Sequence, residues 1–198
     1  MDIKPSIKVG VLALQGAVSE HIDQLKSLGV EGVTIKQVEQ LEQIDALILP
    51  GGESTTMGKL MREYDFIRAI QHFAETKPIF GTCAGMILLA KIIQGGEDPH
   101  LGLMDIAVQR NAFGRQIDSF QTALPVIGLT TPFPAIFIRA PYIAELLKAD
   151  QIEVLATIDG SPVLAQQKNL LACAFHPELS QDNRIMQLFL TMIPNYQG

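Results

Sequence analysis

At 198 residues, 47% hydrophobic and 18% charged, the chain can bury a full core as one domain spanning residues 1–198, and this composition excludes intrinsic disorder. The net charge of −6 argues against a nucleic-acid partner, which needs a basic face; no apolar run reaches the roughly 18 residues of a membrane span, and the early stretch VGVLALQGAV has no basic n-region or cleavage site, so a cytoplasmic protein is expected. Two cysteines without CxxC or His/Cys ligand spacing leave no basis for a disulfide framework or a zinc site, and neither metal nor cofactor is expected.

In chain order, IKVGVLAL (7–14) reads as a strand buried on both faces. Val18, Ile22, Leu25 and Leu28 then fall at helical spacing, closed by Gly29. GVTIKQV (32–38) and DALILP (45–50) read as further strands. Residues 54–75 read as one helix with Met57, Leu60, Met61, Tyr64, Ile67 and Ile70 inward and Ser54 as N-cap. PIFGT is a fourth strand and 84–93 a helix. Strands alternating with helices imply a mostly parallel sheet covered on both faces. Farther on, LMDIAVQR, IDSFQTAL and AIFIRAP read as later sheet strands and an antiparallel extension. Residues 152–167 read as a hairpin turning at Asp159-Gly160, LLACAF (170–175) as a buried strand, and about 182–193 as a closing helix.

Three strand ends carry chemistry, as strand ends in open α/β sheets do. In GTCAG, Gly81 and Gly85 flank Cys83 at i−2 and i+2. A sharp strand-to-helix turn crowds its middle residue, and glycines on both sides relieve that crowding while the thiol is lifted to a helix N-terminus. A small buried cysteine in a tight turn fits the same local pattern. In CAFHPEL, His176 and Glu178 sit two residues apart. Extended backbone would point both to one side, so that the carboxylate orients the imidazole; a surface His-Pro turn is the plainer alternative. Cys173, in the same stretch, reads as core. In LPGGEST (49–55), two glycines between a strand and a helix leave outward backbone N–H groups able to hold an anion or a developing oxyanion, although glycine-rich turns are common. LALQG (12–16) ends beside the same sheet edge. His21, His72 and His100 belong to no motif and read as solvated or helix-face residues.

Taken together, GVLALQGAVSEH, LILPGGESTTM, FGTCAGMILLAK, PHLGLMD, QRNAFGRQIDSF, FIRAP and FHPEL resemble, in order and over nearly the whole chain, the class I, triad-type glutamine amidotransferases, in particular those that feed pyridoxal 5'-phosphate synthases. The resemblance implies a three-layer α/β/α, flavodoxin-like fold with a mostly parallel central sheet and an antiparallel extension. It implies hydrolysis of L-glutamine through a thioester on Cys83, with His176 as base and Glu178 as its orienter. Backbone N–H groups of Gly52 and Ala84 would form the oxyanion hole, and Gly52, Glu53, Ser54, Arg110, Ile138 and Arg139 would hold glutamine. Gln15 and Gly16 would respond to a partner, a separate (β/α)₈-barrel pyridoxal 5'-phosphate synthase subunit that receives the ammonia in a hetero-oligomer. Two other readings are a stand-alone cysteine hydrolase and a non-enzymatic thiol sensor; the latter would need neither His176 nor Glu178.

Overall fold

The computed structural model describes residues 7–110 and 119–197. The first apolar run becomes β1 (Lys8–Leu12), followed by α1 (Val18–Ser27), β2 (Glu31–Ile35) and β3 (Ala46–Leu49). Next come α2 (Ser54–Glu63), α3 (Phe66–Phe73), β4 (Ile79–Thr82) and α4 (Ala84–Leu89). The second half holds β5 (Ala90–Ile93), β6 (Met104–Gln109), β7 (Ser119–Leu124), β8 (Phe133–Ile138), β9 (Tyr142–Leu146), β10 (Glu153–Ile158), β11 (Ser161–Gln167), β12 (Leu170–Cys173) and α5 (Arg184–Leu190).

Seven strands form the main sheet in the order β2-β1-β3-β4-β12-β11-β10. Neighbours from β2 to β12 run parallel, and β11 and β10 extend the sheet antiparallel. Every residue of β3, β4 and β12 is buried, which requires cover on both faces. Adjacent residues of β4 show that cover: Phe80 meets Phe189 of α5 with ring centroids 5.2 Å apart, while a Cβ on Gly81 would run into Gly85 and Leu89 of α4. Successive strand residues face opposite ways, so α4 and α5 lie on opposite faces, giving three layers.

The hairpin turns where the sequence places it. Asp159 (φ 48°) and Gly160 (φ 79°) both have positive φ, as a two-residue type I′ turn requires. Several sequence expectations change. The helix expected over 54–75 breaks after Tyr64, because Asp65 takes a left-handed backbone (φ 59°); the break turns Tyr64 out to solvent and puts Phe66 in the core. Ser54 does not cap α2. Glu53 does, its carboxylate accepting from the N–H groups of Thr55 and Thr56, since two oxygens on a longer arm satisfy two orphan donors at once. The helix expected over 84–93 stops at Leu89 and continues as β5, and the strand expected over 32–38 stops at Ile35, ahead of a 3₁₀ turn at Val38–Gln43.

The strands after residue 103 do not all join the main sheet. β5, β6 and β9 form a small separate sheet, and β7 and β8 an antiparallel ribbon. Asp105 is buried in β6, where its carboxylate pairs with Lys91 of β5 and accepts from Gln167 at the end of β11, so its charge is not left unpaired.

Candidate active site

Cys83 sits at the junction of β4 and α4 with φ 49° and ψ −104°, a strained conformation for a residue with a side chain. The flanking glycines are sterically required. A Cβ on Gly81 would strike the carbonyl of Gly85, and one on Gly85 would strike the carbonyl oxygen of Leu49 in β3. The strained backbone is anchored by the Cys83 N–H, which donates to the Cys173 carbonyl at 2.7 Å. The sulfur lies 3.9 Å from the Ile138 carbonyl oxygen at the end of β8. Because α4 has only six residues, its dipole is short, and the nearby imidazole is the stronger electrostatic neighbour.

That imidazole belongs to His176. Its backbone N–H donates to Ile136 of β8 at 2.8 Å, and its Nδ1 lies 2.7 Å from Glu178 Oε1. The backbone between them is not extended as expected: Pro177–Leu179 make a 3₁₀ turn, and the turn brings carboxylate and ring together all the same. Burial pulls the His176 pKa down, but hydrogen bonds to Cys83 and Glu178 and their charges outweigh it and push the value up to about 10. Glu178 is buried, which disfavours its charge, yet the bond from His176 and the charges of His21 and His176 hold its pKa below the usual range. A thiol, an imidazole and a carboxylate in this order can deprotonate the sulfur, hold the resulting imidazolium and return the proton to a leaving group.

Residues 49–55 form the facing wall. A Cβ on Gly51 would overlap the His176 ring and reach the Cys83 side chain, so only glycine lets this loop approach so closely. The Gly52 N–H makes no hydrogen bond to the described residues. The Glu53 N–H donates to Gln15 Oε1 at 2.9 Å, and the Ala17 N–H to the Gly51 carbonyl at 3.0 Å. Gly16 (φ 104°) packs on that same carbonyl, with no room for a Cβ. Glu53 uses both carboxylate oxygens on Thr55 and Thr56, and the bond from the Thr56 side chain leads the interactions that lower its pKa to about 2.

Arg110 reaches the same wall from the end of β6. Its Nη2 donates to Ser54 Oγ at 2.7 Å and Thr55 Oγ1 at 3.1 Å, and pairs with Glu97 at 2.5 Å. Its guanidinium is thus already matched to a carboxylate. Ile138 is exposed, with its carbonyl beside the sulfur, and Arg139 follows it, also exposed, with a left-handed backbone (φ 45°).

The sequence reading of the histidines as solvated or helix-face residues holds for His72, exposed on α3, and for His21, which lies on α1, though on its buried face. His21 is fully buried and His100 nearly so. His21 contacts Thr82 and Glu178, and His100 packs over Gly58 between Arg62 and Glu97. A signal for His21 was available: it falls three residues after Val18 and four before Leu25, on the inward stripe of α1. Gly51 enters the sequence reading only as one of the two glycines of the 49–55 loop, and Thr55 and Glu97 have no role of their own there. Glu97 carries no pattern of its own, because its partner Arg110 lies thirteen residues away. Among the described residues, no group of three His, Cys, Asp or Glu side chains could hold a metal ion, and no described helix is long and apolar enough to cross a membrane.

The model of the SNO glutamine amidotransferase family matches residues 11–195. The chain is 62% identical over 187 residues to the "Pyridoxal 5'-phosphate synthase subunit PdxT" of Pasteurella multocida (strain Pm70), covering 94% of this chain and 96% of that one. It is 52% identical over 192 residues to the subunit of the same name from Bacillus pumilus (strain SAFR-032), covering 96% and 97%. A solved structure described as "Crystal structure of glutamine amidotransferase" superposes with a TM-score of 0.88 at 49% identity, covering 93% of this chain and 97% of that chain.

Proposed function

The chain belongs to the SNO glutamine amidotransferase family, and from that premise we propose how its residues perform a glutaminase reaction. It is the glutaminase subunit of a pyridoxal 5'-phosphate synthase, since it belongs to a glutamine amidotransferase family and its relatives of 52–62% identity are named as a subunit of that synthase, and it acts in vitamin B6 biosynthesis. The observation that carries the mechanism is the strained Cys83 elbow facing a buried His176–Glu178 pair.

Glutamine enters with its side-chain amide against Cys83. The sulfur attacks the amide carbon while His176 takes the thiol proton, and the oxyanion is held by backbone N–H groups of Gly52 and Ala84. The C–N bond then breaks, His176 gives its proton to the departing ammonia, and a γ-glutamyl thioester remains. The hydrogen bond to Cys83 that helps to hold the proton on His176 is lost as the sulfur becomes acylated, which eases that release. Water, deprotonated by His176, attacks the thioester and releases L-glutamate. Glu178 stays ionised throughout and keeps Nδ1 of the ring protonated.

Arg110 and Arg139 clamp the α-carboxylate of glutamine, with Ser54, Gly52 and Ile138 lining the site. Glu53 contributes through its cap, which shapes the loop. The whole chain works as one glutaminase domain in the cytoplasm. Ammonia passes to a barrel synthase subunit of the PdxS type in a hetero-oligomer. Gln15 and Gly16 couple the two proteins: they abut the Gly51–Gly52 loop, and a surface depression lined by Gly16, Val18, Ile22 and Lys36 opens beside them. Docking there can reorient a peptide of the loop and complete the oxyanion hole, where one missing donor costs about 10²–10³ in turnover.

The test is glutamine hydrolysis measured while the barrel subunit is titrated in, with binding followed in parallel. Stimulation of at least about tenfold is expected, reduced more than binding by substitutions at Gln15 or Gly16. Full turnover by the free chain would overturn the coupling. Release of peptides with no glutaminase activity would overturn the function.

A further inference from the structure

The triad leaves one polar atom unaccounted for. Glu178 Oε1 is bonded to His176, but Oε2 is buried with no hydrogen-bond partner among the described residues. A buried carboxylate oxygen left without a donor is costly. Facing it is His21 of α1, whose Nε2 stands 3.7 Å from Oε2 and 3.2 Å from the hydroxyl of Thr82; Glu178's own backbone N–H also favours the ionised carboxyl. His21 is fully buried, and its Nδ1 also has no partner among the described residues. Two oxygens, one of them anionic, therefore face Nε2, and none faces Nδ1. That arrangement puts the ring proton on Nε2. Burial lowers the ring's pKa, against the pull of Glu178.

The setting of His21 is specific in two further ways. Thr82 directly precedes Cys83, so one ring touches both the nucleophile's neighbour and the carboxylate two steps behind it. One turn along α1, Gln24 Nε2 donates to the Pro177 carbonyl at 3.1 Å. Helix α1 thus holds the Pro177–Glu178 turn at two points. It begins immediately after the Gln15-Gly16-Ala17 segment that contacts the Gly51 carbonyl.

We propose that His21 is a positioning residue of the triad: its Nε2–H holds the second oxygen of Glu178, which fixes the carboxylate that orients His176. This rests on the triad reading above. The separation of 3.7 Å shortens to a hydrogen bond with a small rotation of either side chain. The need for it is greatest when His176 carries the transferred proton and Glu178 must hold the imidazolium in line. His21 therefore acts on turnover and leaves glutamine binding alone.

The experiment is a double-mutant cycle on the complex with its barrel subunit, reading kcat and KM for glutamine with thermal stability in parallel. His21→Leu is expected to lower kcat by about tenfold to a hundredfold, with KM unchanged within about twofold. His21→Gln, whose amide nitrogen can reach the place of Nε2, is expected to recover most of the rate; His21→Asn, whose amide nitrogen falls at the place of Nδ1, is not. With Glu178→Gln already present, losing His21 should cost little more, because the carboxylate it serves is gone. An equal loss in both backgrounds, or equal rates for the Gln and Asn variants, assigns His21 to packing and overturns the proposal. If His21→Leu fails to fold, the Gln and Asn pair decides alone. Wild-type turnover by Glu178→Gln overturns the triad reading and His21 with it; an impaired Glu178→Gln beside a fully active His21→Leu overturns His21 only.

Discussion

Cys173 ends β12 opposite Thr82 of β4, and Cys83 follows directly, its N–H donating to the Cys173 carbonyl at 2.7 Å; the two cysteines have opposite characters. Cys173 occupies a regular strand, fully buried, with its thiol over the Phe175 carbonyl at 3.4 Å; burial pushes its pKa well up. Cys83 stands one step past its strand in a left-handed turn, beside His176. On the proposed reading the reactivity of Cys83 comes from the backbone turn and the imidazole, since residue type is the same for both and both are buried.

The sharpest break of this contrast is substitution of each in turn. Cys83→Ala should abolish glutaminase activity, while Cys173→Ala keeps most of it and loses about 1 kcal/mol of stability. A glutamine-like electrophile should label Cys83 alone in a mass-mapped digest, and label on Cys173 would reverse the assignment. Next in size, His176→Asn should lower turnover by about 10²- to 10⁴-fold, with a smaller loss for Glu178→Gln and glutamine affinity nearly intact in both. Arg110→Ala and Arg139→Ala should each weaken glutamine binding by about 1.5–3 kcal/mol, roughly ten- to a hundredfold, with poor rescue by lysine if the contact is bidentate. Unchanged affinity in both would assign these arginines to structure or to the partner interface.

The last expected effect is on stability against pH. His176 has a folded pKa raised from 6.5 to about 10, so its contribution is fully present below about pH 6.5 and fades as pH rises toward about 10. Glu178 is depressed below 4.5, so its contribution is present above that value and is lost as pH falls through the folded pKa. Denaturant unfolding of wild type and His176→Asn should therefore converge toward pH 10. A gap that stays constant from pH 6 to pH 10 would mean that the bonding of His176 to Cys83 and Glu178 contributes nothing to the fold.

Much of this was legible in the chain, and the limits have physical causes. The parallel strands could be read because burial on both faces leaves unbroken runs of branched residues, and the Asp159-Gly160 turn because its backbone demands positive φ. Cys83, His176 and Glu178 could be marked because their neighbours Gly81, Gly85 and Pro177 are constrained by backbone sterics, which are local. The break at Asp65, the end of α4 at Leu89 and the small sheet around Asp105 could not be read, since each depends on partners far along the chain. The same holds for the residues that complete the site. His21 meets Glu178 across 157 positions and Arg110 meets Ser54 across 56. Local sequence determines which turns the backbone must make; only the packing of α1, β6 and β8 around those turns decides which side chains share a buried charge, because such a charge takes whatever partner the fold brings within reach.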